Sequence, residues 1–344
     1  MLSHAATSLR PRWLSTSNVA RLRGTPHLKR KLGQHLLVSD DVLHQIVAAT
    51  GLAADTSSSD IVRVLEIGPG TGNLTSALLQ ISPRVHVHAV EFDDRMVERL
   101  KRRFPSEIES RSLVLEHSDF EDFRFHADLS ETPQDDAIPF DVCAANIPYQ
   151  LSSLVVSRLS SYMHRFPTRF KCAVLMVQEE FALRLLAPPG HKNYSRLSVN
   201  TALVADVTSV ANVSRRLFLP PPKVNSRVIK LVPRAALTPV LPTTDEWFFP
   251  KFDALLRLCF ERKNKTLRAL LLAKTARSHY VVQHEGGEDV HQVVTERVEA
   301  ALEASGLTSN RAVKVSVGEF MKLLQELRER GIDLRPSTTR HFRN

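Results

Sequence analysis

Apolar and polar positions along this chain follow two periods, and the switch between them marks its elements. Residues 38–50 (VSDDVLHQIVAAT) carry apolar side chains at helical spacing behind Ser39, whose hydroxyl suits a helix N-cap. Residues 62–67 read as a buried strand, and residues 73–80 as a helix entered through a glycine-rich turn. Short apolar strands are expected again at 85–90, 113–116, 141–145 and 173–177, with helices at 95–104, 152–162 and 179–186. Strands of this kind separated by helices predict a parallel sheet covered on both faces. Residues 199–213 and 226–232 are expected to complete it, on either side of the stiff turn formed by Pro220, Pro221 and Pro222.

The pattern loosens at 234–246, where proline and threonine flank Leu241, and this reads as a linker. Residues 247–275 and 291–330 are helix-like and strongly charged, so a small helical domain is expected from about 245 to the end. Residues 124–139 are polar and acidic and read as a loop insertion; no internal repeat is visible. The predicted division is a leader at 1–27, an α/β domain at 28–235 and a helical domain with its tail at 245–344.

Composition changes this picture at one end. No apolar run in the 344 residues approaches the roughly 20 needed to span a bilayer, so a soluble protein without a membrane partner is expected. The formal net charge is +9, and residues 1–39 hold no Asp or Glu against Arg10, Arg12, Arg21, Arg23, Lys29, Arg30 and Lys31. Two readings fit residues 1–24 (MLSHAATSLRPRWLSTSNVARLRG): an organellar transit peptide, or a basic arm that touches RNA phosphates. The scarcity of lysine and the presence of Leu and Trp favour the first. Cys143, Cys172 and Cys259 lie far apart in apolar stretches without metal-ligand spacing, which predicts buried free thiols and no metal site.

The candidate chemistry begins with Glu66-Ile67-Gly68-Pro69-Gly70-Thr71-Gly72-Asn73, where glycines permit a tight turn between strand and helix. Glycines at 68, 70 and 72 depart from the dinucleotide spacing and favour S-adenosylmethionine over NAD, though a plain structural turn has the same form. Glu91, 19 residues past Gly72 at a strand end, is placed to accept both ribose hydroxyls; a solvated strand-end acid is the bland alternative. Asp119 is suited either to the cofactor's adenine amino group or to starting a turn. Asn146-Ile147-Pro148-Tyr149 follows a strand, at the sheet edge where ligands bind. The Asn146 side-chain oxygen and the Ile147 or Pro148 carbonyl are acceptors for the two hydrogens of an exocyclic amine. Pro148 fixes the turn, and Tyr149 offers a ring on which an extruded base stacks.

With these motifs the chain resembles the ribosomal RNA adenine dimethyltransferase family, the bacterial KsgA enzymes and their eukaryotic relatives, from about Lys29 to Lys274. Residues 31–37 (KLGQHLL), 146–153 (NIPYQLSS), 218–226 (FLPPPKVNS) and 259–267 (CFERKNKTL) carry the likeness, the last being similar to the eukaryotic branch. The resemblance implies a class I S-adenosylmethionine-dependent methyltransferase with a Rossmann-like sheet and a small C-terminal helical domain. It makes His35, Leu37, Gly68, Glu91, Asp119 and Asn146 cofactor contacts, and sets Phe218 with Tyr149 against the target base, beside Pro148. It also implies dimethylation of two adjacent adenosines in the 3′-terminal hairpin loop of small-subunit rRNA, with the pre-ribosomal small subunit as partner and a monomeric enzyme. Mitochondria are the expected compartment, with a plastid or the nucleolus as alternatives. A non-catalytic role in ribosome assembly or organellar transcription is the rival function, and large-subunit methylation a third that residues 259–267 oppose. His117-Ser118 replaces the family's usual Gly before Asp119, and Leu154 its usual Pro. Phosphate contacts are expected from residues 29–31, Arg215, Arg216, Lys223 and Arg227, and from Arg262, Lys263, Lys265 and Arg268, taken to fall within two helical turns.

Overall fold

The computed structural model describes residues 35–53, 60–125, 140–166, 168–234, 248–282 and 289–336. The expected leader, the basic triplet at 29–31, the body of the acidic insertion and nearly all of the linker lie outside the described residues.

Through the first two-thirds of the chain the elements follow the apolar pattern. Strand β1 (Leu36–Leu37) precedes α1 (Asp40–Thr50), whose first turn is capped by Ser39. Then come β2 (Val62–Ile67), α2 (Asn73–Leu79), β3 (Val85–Glu91), α3 (Asp94–Arg103), α4 (Pro105–Glu109), β4 (Leu113–His117) and β5 (Val142–Asn146). Helix α5 (Ser152–Arg165), β6 (Cys172–Gln178), α6 (Glu179–Leu185), α7 (Arg196–Val204), β7 (Ala205–Val213), β8 (Phe218–Leu219) and β9 (Ser226–Pro233) follow. Seven strands form one sheet in the order β4-β3-β2-β5-β6-β9-β7. Its central strands are buried on both faces, which is why β5 and β6 read as nearly unbroken apolar runs.

The sheet departs from the expected one in two ways. Residues 199–204 belong to α7, so only 205–213 pair as a strand. A capping box starts the helix, the Ser195 N–H donating to the Ser198 hydroxyl at 3.0 Å, and its β-branched residues then run into the strand without a gap. The sheet is also not wholly parallel, because β9 is antiparallel to both β6 and β7. The connection from β7 to β9 holds no crossover helix, so the chain can only turn back on itself.

The C-terminal part contains α8 (Phe248–Cys259), α9 (Leu267–Leu271), α10 (Lys274–Arg277), β10 (Tyr280–Val282), α11 (Val290–Ser305), α12 (Val317–Glu329) and β11 (Ile332–Leu334). The β10–β11 antiparallel pair is absent from the expected scheme. Phe252, Leu255, Phe320 and Leu323 continue the apolar cluster that begins on the sheet with Leu65 and Leu175. Buried Asp253 of α8 ties this part to α7, accepting from Arg196 at 2.8 Å and Asn200 at 2.7 Å, and from Arg257 of its own helix at 2.9 Å. All three cysteines are buried free thiols, and burial pushes each thiol's pKa up. No helix among the described residues is long and apolar enough to cross a membrane.

The basic cluster at 262–268 is not a two-turn helix. Residues 261–265 form an exposed loop without an apolar stripe to bury, and the Thr266 hydroxyl caps α9 by accepting from the Ala269 N–H at 3.3 Å. Arg262, Lys263 and Lys265 therefore project from a loop, while Arg268 pairs with Glu299 of α11.

Candidate active site

The carboxyl ends of β2, β3, β4 and β5 open onto a cavity of about 290 Å³. Every residue expected at the site lines it: His35, Leu37, Gly68, Glu91, Asp119, Asn146, Pro148, Tyr149 and Phe218. Gly68, Glu91, Asp119, Asn146, Pro148 and Tyr149 meet because each stands at or soon after the end of a strand in one sheet, and parallel strands deliver their ends to a common edge; His35, Leu37 and Phe218 come from a separate strand pair.

The glycine-rich turn forms one wall. Gly68 has φ +65°, and a Cβ there would lie 3.4 Å from the Pro148 ring, so the turn and the tetrapeptide are in close contact. Glu91 secures the turn from β3: one carboxylate oxygen accepts from the Gly70 N–H at 3.0 Å and the other from the Asp93 N–H at 2.9 Å. Burial raises the Glu91 pKa and these two bonds oppose the rise. Each oxygen keeps a further lone pair for a ligand hydroxyl. Asp119 accepts from the Glu121 N–H at 2.9 Å, so it does begin a turn, and it lines the cavity as well.

The tetrapeptide forms the facing wall. Asn146 closes β5 opposite Met176, and its side-chain amide makes no hydrogen bond among the described residues. The Pro148 carbonyl accepts from the Leu151 N–H at 2.9 Å and opens one 3-10 turn over Tyr149–Leu151. That leaves the Ile147 carbonyl as the open backbone acceptor of the two considered from the sequence. The Tyr149 hydroxyl shares a 2.8 Å hydrogen bond with Ser226 of β9, which holds the ring in place. Phe218 and Tyr149 line the same cavity, but the aromatic neighbour of Tyr149 is His35, with ring centroids 6.0 Å apart.

A small strand pair roofs the site. Leu36 and Leu37 of β1 pair with Leu219 and Phe218 of β8, and the His35 Nδ1–H donates to the Pro220 carbonyl at 2.8 Å. His35, Leu37 and Phe218, distant in sequence, thus belong to one piece of structure.

Two features of the site go beyond what the motifs give. Arg103 of α3 reaches the turn, donating to the Asn73 side chain at 2.9 Å and to the Thr71 carbonyl. Glu66 is 1% exposed, lines the cavity, and has one carboxylate oxygen without a hydrogen-bond partner. Burial, reinforced by the Glu91 charge and opposed by Thr75 and Arg103, pushes its pKa up to about 8. A buried carboxyl with one unpartnered oxygen suits a cation, and S-adenosylmethionine carries two, an ammonium and a sulfonium. Glycines that leave room for close backbone approach and the Glu91 carboxylate complete a donor set that fits this cofactor.

A model of the family described as ribosomal RNA adenine dimethylase matches residues 26–308. The chain belongs to this family. It is accordingly an S-adenosylmethionine-dependent rRNA adenine N6,N6-dimethyltransferase with a class I methyltransferase fold. The dimethylase is 42% identical over 246 residues to an Arabidopsis thaliana ribosomal RNA small subunit methyltransferase, covering 72% of this chain and 61% of the relative. It is 36% identical to a mitochondrial ribosomal RNA small subunit methyltransferase of the same plant, covering 89% of this chain and 80% of that one. The crystal structure of a dimethyladenosine transferase from Plasmodium falciparum superposes with a TM-score of 0.68 at 34% identity, covering 88% of this chain and 100% of that one.

For the ligand-free dimethylase, Glu66→Gln provides a test of the buried carboxyl. Folded Glu66 holds its proton up to about pH 8, whereas the unfolded side chain releases it near 4.5. The folded state therefore binds the extra proton between these values, and wild-type stability falls as pH rises through that window. Glu66→Gln lacks this term, so its stability relative to wild type should climb from about pH 4.5 to about pH 8 and level off beyond. Denaturant unfolding across pH checks this; a difference independent of pH would refute the assignment.

Proposed function

We propose that the enzyme adds two methyl groups to each of two adjacent adenosines in the 3′-terminal hairpin loop of small-subunit rRNA, during assembly of the mitochondrial small subunit. The observation that carries this is the pair of open acceptors at Asn146 and Ile147, beside Tyr149 and above the glycine turn. The lone pair of adenine N6 is delocalised into the ring, so the amine is a poor nucleophile. Asn146 Oδ1 and the Ile147 carbonyl would hold its two hydrogens and favour a tetrahedral nitrogen. Tyr149 and Phe218 would flank the extruded base, a stacking worth roughly 1–3 kcal/mol per ring.

His35, Leu37, Gly68, Glu91, Asp119 and Asn146 would hold the cofactor, whose sulfonium supplies an electrophilic methyl group. No strong general base is required, since the nitrogen becomes acidic once it is cationic. After the first transfer one hydrogen remains for these acceptors, so the second transfer uses the same wall. The C-terminal part from about 245, with the exposed loop bearing Arg262, Lys263 and Lys265, would contact the surrounding rRNA, the α/β part ending near 235. The acid-free leader and the mitochondrial relative support the compartment, and a monomer suffices because one chain supplies the whole cavity wall.

Primer extension on mitochondrial and cytosolic small-subunit rRNA from cells lacking the enzyme tests this reading. The expected result is that stops at two adjacent adenosines vanish from mitochondrial rRNA alone and return with the wild-type chain. Loss from cytosolic rRNA instead would overturn the mitochondrial assignment and leave the chemistry intact.

A further inference from the structure

Asp119 begins a stretch that no sheet ladder supports. Strand β4 ends at His117 and the next described strand, β5, starts at Val142. Side chains hold residues 120–125 instead: His88 of β3 and Phe140 pack on Phe123, and the backbone carbonyls are held from α5, the helix that follows the tetrapeptide. Arg158 of that helix donates to the carbonyls of both Phe120 and Phe123. Its guanidinium also lies 5.0 Å from the Phe120 ring centroid and 5.1 Å from that of Phe125. The three phenylalanines are buried and packed against one another. Among the described residues Asp119 itself makes only local bonds, accepting from the N–H groups of Glu121, Asp122 and Phe123 and from the Ser118 hydroxyl.

We infer that Arg158 is a positioning residue that sets Asp119 against the 6-amino edge of the cofactor's adenine, and so determines selectivity for an aminopurine cofactor. The inference rests on the proposed role of Asp119. Arginine suits the task because its planar fork spans two carbonyls three residues apart while its faces stack on rings. A lysine ammonium has donors but no rigid planar fork, so it cannot hold both carbonyls in fixed geometry while stacking on the rings. Since α5 continues directly from Asn146-Ile147-Pro148-Tyr149, the same side chain links the base-binding wall to the adenine end of the cofactor pocket.

The experiment measures the affinity of the full chain for S-adenosylhomocysteine and for its 6-oxo analogue, S-inosylhomocysteine, in wild type, Arg158→Lys and Asp119→Ala. In Arg158→Lys, S-adenosylhomocysteine should bind about tenfold more weakly, one hydrogen bond's worth. The 6-oxo compound should change by less than about twofold, so that preference for the amino compound collapses. The turnover rate at saturating cofactor and the KM for RNA should stay near wild type. If Arg158→Lys weakens both ligands equally, or neither, while Asp119→Ala removes the preference, the inference is wrong and the reading of Asp119 stands. If Asp119→Ala leaves the preference unchanged, that reading fails and the inference with it.

Discussion

An Asn146→Ala enzyme is expected to lose at least about a hundredfold in kcat, the loss typical when one preorganised polar group is removed from a site where charge develops. The side-chain oxygen is one of two acceptors that make a conjugated amine nucleophilic, and the Ile147 carbonyl alone cannot hold both hydrogens. The fold should survive, because the amide makes no hydrogen bond among the described residues and the β5 backbone pairing with β6 does not depend on it. Because Asn146 also borders the cofactor, a smaller rise in the KM for S-adenosylmethionine should accompany the loss. Steady-state methylation assays beside a thermal unfolding curve separate these effects. A variant that unfolds at the wild-type temperature and retains wild-type kcat would remove Asn146 from the chemistry.

The largest stability effect is expected at Gly72. It opens α2 with φ +80°, a conformation that costs an L-residue about 1–2 kcal/mol. A Cβ there would also lie 2.6 Å from the Phe104 ring and 2.7 Å from a Leu100 methyl, both buried, so packed side chains must move. Such overpacking typically costs about 1–3 kcal/mol more. Gly72→Ala should therefore destabilise by on the order of 3 kcal/mol and shift the turn that Glu91 holds, weakening cofactor binding. Gly51 is the internal control: its φ is +76°, yet nothing lies within 4 Å of its Cβ position. Gly51→Ala should show the backbone cost alone. Equal losses in the two variants, measured by denaturant unfolding, would contradict the packing argument.

Much of the site was legible because its chemistry sits in contiguous motifs at strand ends. Gly68, Glu91, Asp119 and Asn146 each follow an apolar run, and the sheet then brings them together whatever the loops between them do. The features that escaped depend on contacts between distant residues. Arg103 and Arg158 read as ordinary surface charges until α3 and α5 carry them to the turns they hold. Glu66 reads only as the acid that precedes the glycines, and the cavity alone reveals that one of its carboxylate oxygens lacks a partner. Helix α7 was hidden because apolar and β-branched residues recur from 199 to 213 with no Gly or Pro to mark a boundary, while its signal, Ser195 with Ser198, is two serines. The reversed direction of β9 follows from strand order, which periodicity does not encode. The loop at 261–265 shows the converse, charges at helix-like spacing with no apolar face to bury.

The central claim is that this chain moves methyl groups from S-adenosylmethionine to adenine N6 of rRNA, twice per base. Incubating the purified enzyme with unmethylated small-subunit rRNA and S-adenosylmethionine labelled with a trideuterated methyl group, then digesting to nucleosides for mass spectrometry, tests it directly. The account predicts adenosine carrying two trideuteromethyl groups on N6, formed by wild type and lost with Asn146→Ala. Labelled methyl groups found only on other positions or other bases, or a product equally abundant with the Asn146 variant, would contradict it.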